Sequence, residues 1–220
     1  MFKIKYKYFP NLGWLEMKLT PDILNFLKEC IKNKKGIHNK KLAGNIEKSY
    51  VLEDKNNWFF KNILIKCINA YIAEFGNHSI PILLTKDCEY LMDGFWVNYQ
   101  KKTQYNPFHS HSGVFSFVIW LDIPFSYKKE ARLKFVKHAR TQAASTFQFY
   151  YINILGRIGN LAYELEPKDA GTMLFFPASL NHMVYPFYTS NKNRISLSGN
   201  IKLNPEKIIP QGPTSDKDEL

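Results

Sequence analysis
The sequence predicts a mainly β chain with flanking α-helices, built as a helix-backed antiparallel double sheet or jelly roll. Three observations point there. Two helical stripes fill the first third of the chain, the hydrophobic period changes to that of strands from about Asp87, and about eight strand-like runs follow. Turn signals at Pro124, Gly156, Pro167–Gly171 and Thr189–Asn193 separate those runs.

Taken in order, Phe2 to Phe9 alternates lysine with apolar residues and reads as an edge strand closed by Pro10 to Gly13. Thr20-Pro21 reads as an N-cap with proline at the first helical position, opening a helix from Pro21 to Lys35. Ile23, Phe26, Leu27, Cys30 and Ile31 form its apolar stripe, and Gly36 ends it. Residues Ile37 to Ser49 are polar and basic and read as a loop. A second helix is expected over Asn56 to Phe75, with Phe60, Ile63, Leu64, Cys67, Tyr71 and Phe75 on one face and Gly76 as its stop. The strands expected after it are Phe95–Gln100, Gly113–Asp122, Leu133–Val136, Thr146–Ile154, Ala162–Leu165, Thr172–Pro177, Met183–Tyr185 and Arg194–Leu203. The chain is thus expected to be one domain over residues 1–205. Helical support spans about 14–80, the β core about 87–203, and residues 206–220 form a flexible tail.

The 220 residues carry a net charge of +11, which would attract polyanions. The lysines are scattered, however, and the joint richness in Lys, Asn, Ile, Phe and Tyr also fits AT-rich coding, so nucleic acid is not the favoured partner. Cys30, Cys67 and Cys88 have no metal or disulfide spacing and fit a reducing, cytoplasmic setting. No apolar run approaches membrane-spanning length, and the charged N-terminus is not a signal peptide. The terminal Lys217-Asp218-Glu219-Leu220 and the sequon Asn77-His78-Ser79 are therefore read as coincidental.

The chemistry centres on His109-Ser110-His111. On a strand, residues two apart share a face, so both imidazoles would point the same way. With His182 from a distant strand they form a candidate site for a borderline divalent metal, read here as non-haem iron. His38, His78 and His138 have no companion and read as structural. Arg194 stands twelve residues after His182 and shares a strand face with Ser196 and Ser198. Buried there, its guanidinium would need an anion, and its planar fork matches a carboxylate. Trp96, Phe108, Phe115, Phe117 and Trp120 are candidate cavity walls.

The order His109-x-His111, His182, Arg194-x-Ser196 resembles the H-x-D/E…H…R-x-S order of the 2-oxoglutarate/Fe(II)-dependent oxygenases. Several segments resemble a phage-associated group of that superfamily: Leu42-Ala43-Gly44-Asn45-Ile46, Phe95-Trp96-Val97-Asn98, Leu174-Phe175-Phe176-Pro177, His182 to Phe187 and Arg194 to Ile201. The resemblance runs from about residue 40 to 203. It implies a cupin-like double-stranded β-helix and a hydroxylase that uses Fe(II), 2-oxoglutarate and O2 and releases succinate. It implies His109 and His182 as iron ligands, Arg194 on the distal carboxylate of 2-oxoglutarate and Ser196 beside it. Asn98 precedes His109 by eleven residues, as does the Asn of the N-x-Y motif in nucleic-acid demethylases, with Gln100 in place of the Tyr. Both are expected to face the cosubstrate.

His111 departs from the family's Asp or Glu. It is either the third ligand, which same-face spacing favours, or a non-ligand beside an open position, or the mark of lost catalysis. The expected substrate is a protein side chain or a small molecule. Two rival readings are a three-histidine cupin-like enzyme that ignores 2-oxoglutarate and a non-catalytic nucleic-acid or virion-associated binding protein. If the gene is phage-borne, the host cytoplasm is the expected location.

Overall fold
The computed structural model describes residue 5 and residues 12–76 and 88–209. The expected strand Phe2–Phe9, His78 with its sequon, and the tail from residue 210 lie outside the described residues. The chain begins with β1 (Leu15–Lys18) and α1 (Pro21–Lys32), then β2 (Lys48–Val51) and α2 (Ile65–Phe75). The strands β3 (Cys88–Gln100), β4 (Asn106–His109) and β5 (Phe115–Asp122) follow, with the short α3 (Tyr127–Glu130) next. The rest is β6 (Phe147–Ile152), β7 (Ile158–Tyr163), β8 (Thr172–Pro177), β9 (Asn181–Val184) and β10 (Arg194–Ile208). Among the described residues no helix is long and apolar enough to cross a membrane.

Ten strands form two antiparallel sheets among the described residues. The larger has the order β1-β8-β5-β10-β3-β2, the smaller β4-β9-β6-β7. From β3 onward the chain passes from large sheet to small and back, so that β3, β10, β5 and β8 face β4, β9, β6 and β7. That is the double-stranded β-helix.

Period-two alternation explains why the large sheet buries both faces. Along β5, Phe115, Phe117 and Ile119 pack under the helices, while Val118 and Trp120 turn toward the small sheet. Along β8, Met173 and Phe175 join the helix side, and Leu174 and Phe176 the other. Leu27, Cys30, Leu64, Cys67, Ile68 and Tyr71 from the helices seal the first layer. Cys30, Cys67 and Cys88 are buried, and burial pushes the thiols of Cys30 and Cys67 up to about 11.

Several local expectations are corrected. Leu133–Val136 is a turn, not a strand: the N–H groups of Val136 and Lys137 both donate to the Leu133 carbonyl, at 2.8 and 2.9 Å. Four residues of alternation lack a pairing partner there, so local hydrogen bonds win. α1 stops at Lys32, where Asn33 caps it, three residues before the expected end. The second helix starts with a π-helical turn, Phe60–Leu64, after left-handed Asn56 and Asn57. The Asp54 carboxylate accepts the N–H groups of Phe59 and Phe60 at 2.9 and 2.8 Å and so closes its open end. The supposed loop after α1 contains part of β2, paired with β3. β10 continues to Ile208, past the expected tail boundary, with an irregular pairing that accommodates Pro205.

Candidate metal centre
β4 and β9 pair so that His109 lies opposite His182. His111 joins them from just past the paired strand. It lies two residues beyond the end of β4, where its N–H donates to the Ala178 carbonyl at 2.8 Å. Its ring lies beside that of His109, as the two-residue spacing predicts. Ring centroids are 4.2 Å apart for His109 and His182, and 5.0 Å for each other pair. One ring nitrogen from each histidine lies within 4.8 Å of the others. No carboxylate or thiol joins this cluster among the described residues. Asp122 sits exposed at the end of β5.

Two of the rings are oriented by their own backbone. His109 Nδ1 lies 2.6 Å from the Pro107 carbonyl, and His182 Nδ1 2.9 Å from that of Leu180. Each contact requires the proton on Nδ1, which leaves Nε2 as the free lone pair. Burial holds all three rings in the neutral form. It pushes His182 down to about 3, helped by His109 and His111, and His111 down to about 4, helped by His109. For His109 burial also lowers the pKa, against the bond to Pro107. Three neutral imidazoles with convergent lone pairs suit a borderline divalent metal such as Fe, Zn, Ni or Cu.

The histidines open into a cavity of about 520 Å³ between the two sheets. β10 and β3 line it with two cross-strand pairs, Arg194 opposite Gln100 and Ser196 opposite Asn98. Arg194 is only 1% exposed and has no carboxylate within ion-pair distance among the described residues. Its Nε and one terminal nitrogen donate to Gln100 Oε1 at 3.2 and 2.5 Å, and further bonds reach the carbonyls of Ser145 and Tyr185. The rings of Phe125 and Phe187 flank the guanidinium at 5.6 and 5.9 Å. Burial pushes its pKa down to about 9, against the charge of Glu130. Gln100 therefore faces Arg194, and the direct hydrogen bonds of the guanidinium go to neutral acceptors while the buried Glu130 acts on its charge from beyond ion-pair distance.

Trp96, Phe117 and Trp120 line the cavity as expected. Phe115 packs instead against Tyr71 and Phe175 under the helices, and Phe108 is 57% exposed against Tyr150. Sequence reasoning missed the rim. His38, dismissed as structural, stacks on Trp96 at 4.8 Å, and Leu42, Ala43 and Ile46 complete that wall. Asn39 ties the loop together through the carbonyls of Ile46 and Glu47 and the N–H of Ser49. Gly44 permits its close approach, since a Cβ there would meet the Asn106 side chain. The run Leu42-Ala43-Gly44-Asn45-Ile46 was the available signal. His138 lies in the exposed basic turn, outside the cavity lining.

Residues 94–200 match a family described as "Putative 2OG-Fe(II) oxygenase". No curated protein matches the chain. Among solved structures, a prolyl-4-hydroxylase from Pseudomonas putida is 12% identical with a TM-score of 0.46, covering 88% of this chain and 94% of its own. A prolyl hydroxylase from Trichoplax adhaerens, in complex with a hypoxia inducible factor peptide fragment, is 11% identical with a TM-score of 0.49, covering 88% and 84%. AviO1 from Streptomyces viridochromogenes is 11% identical with a TM-score of 0.48, covering 93% and 94%. The fold itself rests on the strand order described above. The segment that carries all three histidines, Asn98, Gln100, Arg194 and Ser196 is thus the segment that matches the 2OG-Fe(II) oxygenases, and it supports an oxygenase reading.

Proposed function
We propose that this chain is an Fe(II)- and 2-oxoglutarate-dependent dioxygenase that hydroxylates a protein side chain or a small organic molecule, 2-oxoglutarate being converted to succinate. The observation that carries the reading is one cavity holding both a cluster of three neutral histidines and a buried arginine with no carboxylate within ion-pair distance among the described residues. Iron, when bound with 2-oxoglutarate and O2, supplies the oxidising chemistry. His109, His111 and His182 would hold it through their free ring nitrogens, with Pro107 and Leu180 keeping two of the rings in the ligating tautomer. Arg194 would pair with the distal carboxylate of 2-oxoglutarate, and Ser196 would donate a hydroxyl to the same group. Asn98, which lines the cavity opposite Ser196, would donate its side-chain amide N–H to the cosubstrate. Gln100 would orient Arg194 rather than touch the ligand. Trp96, Trp120, Phe147 and Phe176 exclude water from the reacting end of the cavity. All of these roles lie in the proposed single domain, residues 1–205, with the helices as support behind the large sheet.

The test is an anaerobic titration of Fe(II)-loaded protein with 2-oxoglutarate, following the visible charge-transfer band. The reading requires a band that saturates and that disappears in His182→Ala. A second reading has a specific observation in its favour. Four hydrogen bonds to neutral acceptors already engage Arg194, as a three-histidine metalloenzyme indifferent to 2-oxoglutarate would allow. Iron binding with no band on adding 2-oxoglutarate would select that alternative.

A further inference from the structure
One buried ion has no role in the chemistry so far. Glu130, in α3, is fully buried and does not line the cavity. Its two oxygens accept the N–H groups of Tyr188 and Thr189, at 2.9 and 2.8 Å, and the Thr189 hydroxyl at 2.5 Å. All three partners are donors, as suits an ionised carboxylate. No lysine, arginine or histidine lies within ion-pair distance of it among the described residues.

Arg194 is buried in the same condition and touches the same segment of chain. The Tyr185 carbonyl accepts from its guanidinium, and the Phe187 ring lies 5.9 Å from it. That segment is fixed along its length. The Pro186 carbonyl accepts the Ser145 N–H at 2.8 Å, the Phe187 carbonyl accepts the Thr103 N–H at 2.9 Å, and Glu130 holds the next two residues. A single unpaired ion is expensive to bury, whereas two of opposite sign at the two ends of one short segment compensate each other. The charge of Glu130 accordingly holds the Arg194 pKa up against burial.

We propose that Glu130 is the counter-charge of Arg194, a positioning residue that holds the guanidinium at the cavity end and limits how tightly it grips an anion. The inference rests on the cosubstrate reading above for the identity of that anion, and it adds what tunes the affinity. With Glu130 counted, a divalent ion on three neutral imidazoles, Arg194 and dianionic 2-oxoglutarate leave no formal charge over. Without Glu130 the dianion would meet excess positive charge and be held more tightly. Succinate keeps the distal carboxylate and would be held in the same way, so a moderated grip favours its release at each turnover.

The test has two readouts on the full-length protein. The first needs no metal: a double-mutant cycle of Glu130→Gln and Arg194→Met in urea melts. Glu130→Gln keeps the shape of the side chain and an acceptor for Thr189, and removes the charge. It should destabilise the native protein far more than the Arg194→Met variant, in which the carboxylate has already lost its counter-charge. The unfolding constants should depart from additivity by about tenfold or more. Additive effects overturn the inference, since a carboxylate that only clamps Tyr188 and Thr189 acts regardless of residue 194. If Glu130→Gln does not fold by itself, recovery of folding in the double variant supports the inference and failure to recover overturns it.

The second readout is calorimetric titration of metal-loaded protein with 2-oxoglutarate and with 2-oxopentanoate, which lacks the distal carboxylate. Glu130→Gln should tighten 2-oxoglutarate by about tenfold, with 2-oxopentanoate and metal affinity little changed. A purely structural role would weaken both acids or neither. Unchanged or weaker 2-oxoglutarate binding in the variant overturns the inference. If the native protein binds the two acids equally, the cosubstrate reading falls, and the urea cycle alone decides whether Glu130 is the counter-charge.

Discussion
His182 shows how burial, helped by two neighbouring histidines, keeps an imidazole neutral. In an unfolded chain its imidazole takes up a proton near pH 6.5, whereas in the fold it does so only near 3, and His111 near 4. Below pH 6.5 the unfolded chain therefore binds more protons than the metal-free folded one. Stability present above 6.5 is lost as the pH falls toward those values, by about 1.4 kcal/mol per pH unit for each histidine. Urea melts of metal-free protein at pH 7 and pH 5 should show this loss, and His182→Gln should flatten the slope by one histidine's share. An unchanged slope would mean the ring is not buried neutral. Arg194 makes a separate prediction. Arg194→Ala should weaken 2-oxoglutarate by roughly a hundredfold or more while leaving metal affinity intact, because a buried charge-assisted pair is worth several kcal/mol. Arg194→Lys keeps the charge but loses the fork and should recover only part of that affinity. Calorimetric titration of each variant with metal, then with 2-oxoglutarate, separates the two effects.

β10 is the element on which the site depends most. It pairs with both β3 and β5, and one face carries Arg194, Ser196, Ser198 and Asn200 to the cavity while Leu197 and Ile201 enter the helix-side core. A one-residue slip would exchange those faces and withdraw the guanidinium. Gly199 guards the register. A Cβ there would lie 2.5 Å from the Gly94 carbonyl oxygen and 2.5 Å from the Phe117 ring, both in well-packed surroundings. Gly199→Ala should cost about 1–3 kcal/mol in a urea melt, as overpacking does. A neutral result would show that β3 and β10 can separate without penalty. The helical layer has its own dependence on one carboxylate, since Asp54 accepts two N–H groups at the start of the π-helical turn. Asp54→Ala should destabilise by about 1 kcal/mol without changing metal affinity.

At the scale of the whole molecule, the proposed metal and cosubstrate would be linked to the fold through the two sheets. His109 and His182 come from the small sheet and Arg194 from the large one, so ligands that bind both hold the sheets together. Metal and 2-oxoglutarate, each at a hundred times its dissociation constant, should each add about 2.7 kcal/mol. For a chain of this size that corresponds to a rise in Tm of roughly 5–10 °C per ligand, reversed by a chelator. A melting temperature indifferent to chelation would remove the metal centre from this account. Much of the site was legible in the sequence. H-x-H, the later His182 and R-x-S are the residues that the fold gathers around one cavity, and the apolar run Thr172–Pro177 gives the bounds of β8. The two helical stripes are legible for the same reason, because period and capping are local properties of the chain. Leu133–Val136 shows the limit, since alternation without a partner strand does not make a strand. What only the tertiary structure decided is non-local: that the His111 backbone is held by Ala178, that Gln100 serves Arg194, that Trp96 keeps an unmet donor, and that His38 belongs to the rim. Each depends on pairing between segments far apart in the chain, which residue types and spacings do not encode by themselves.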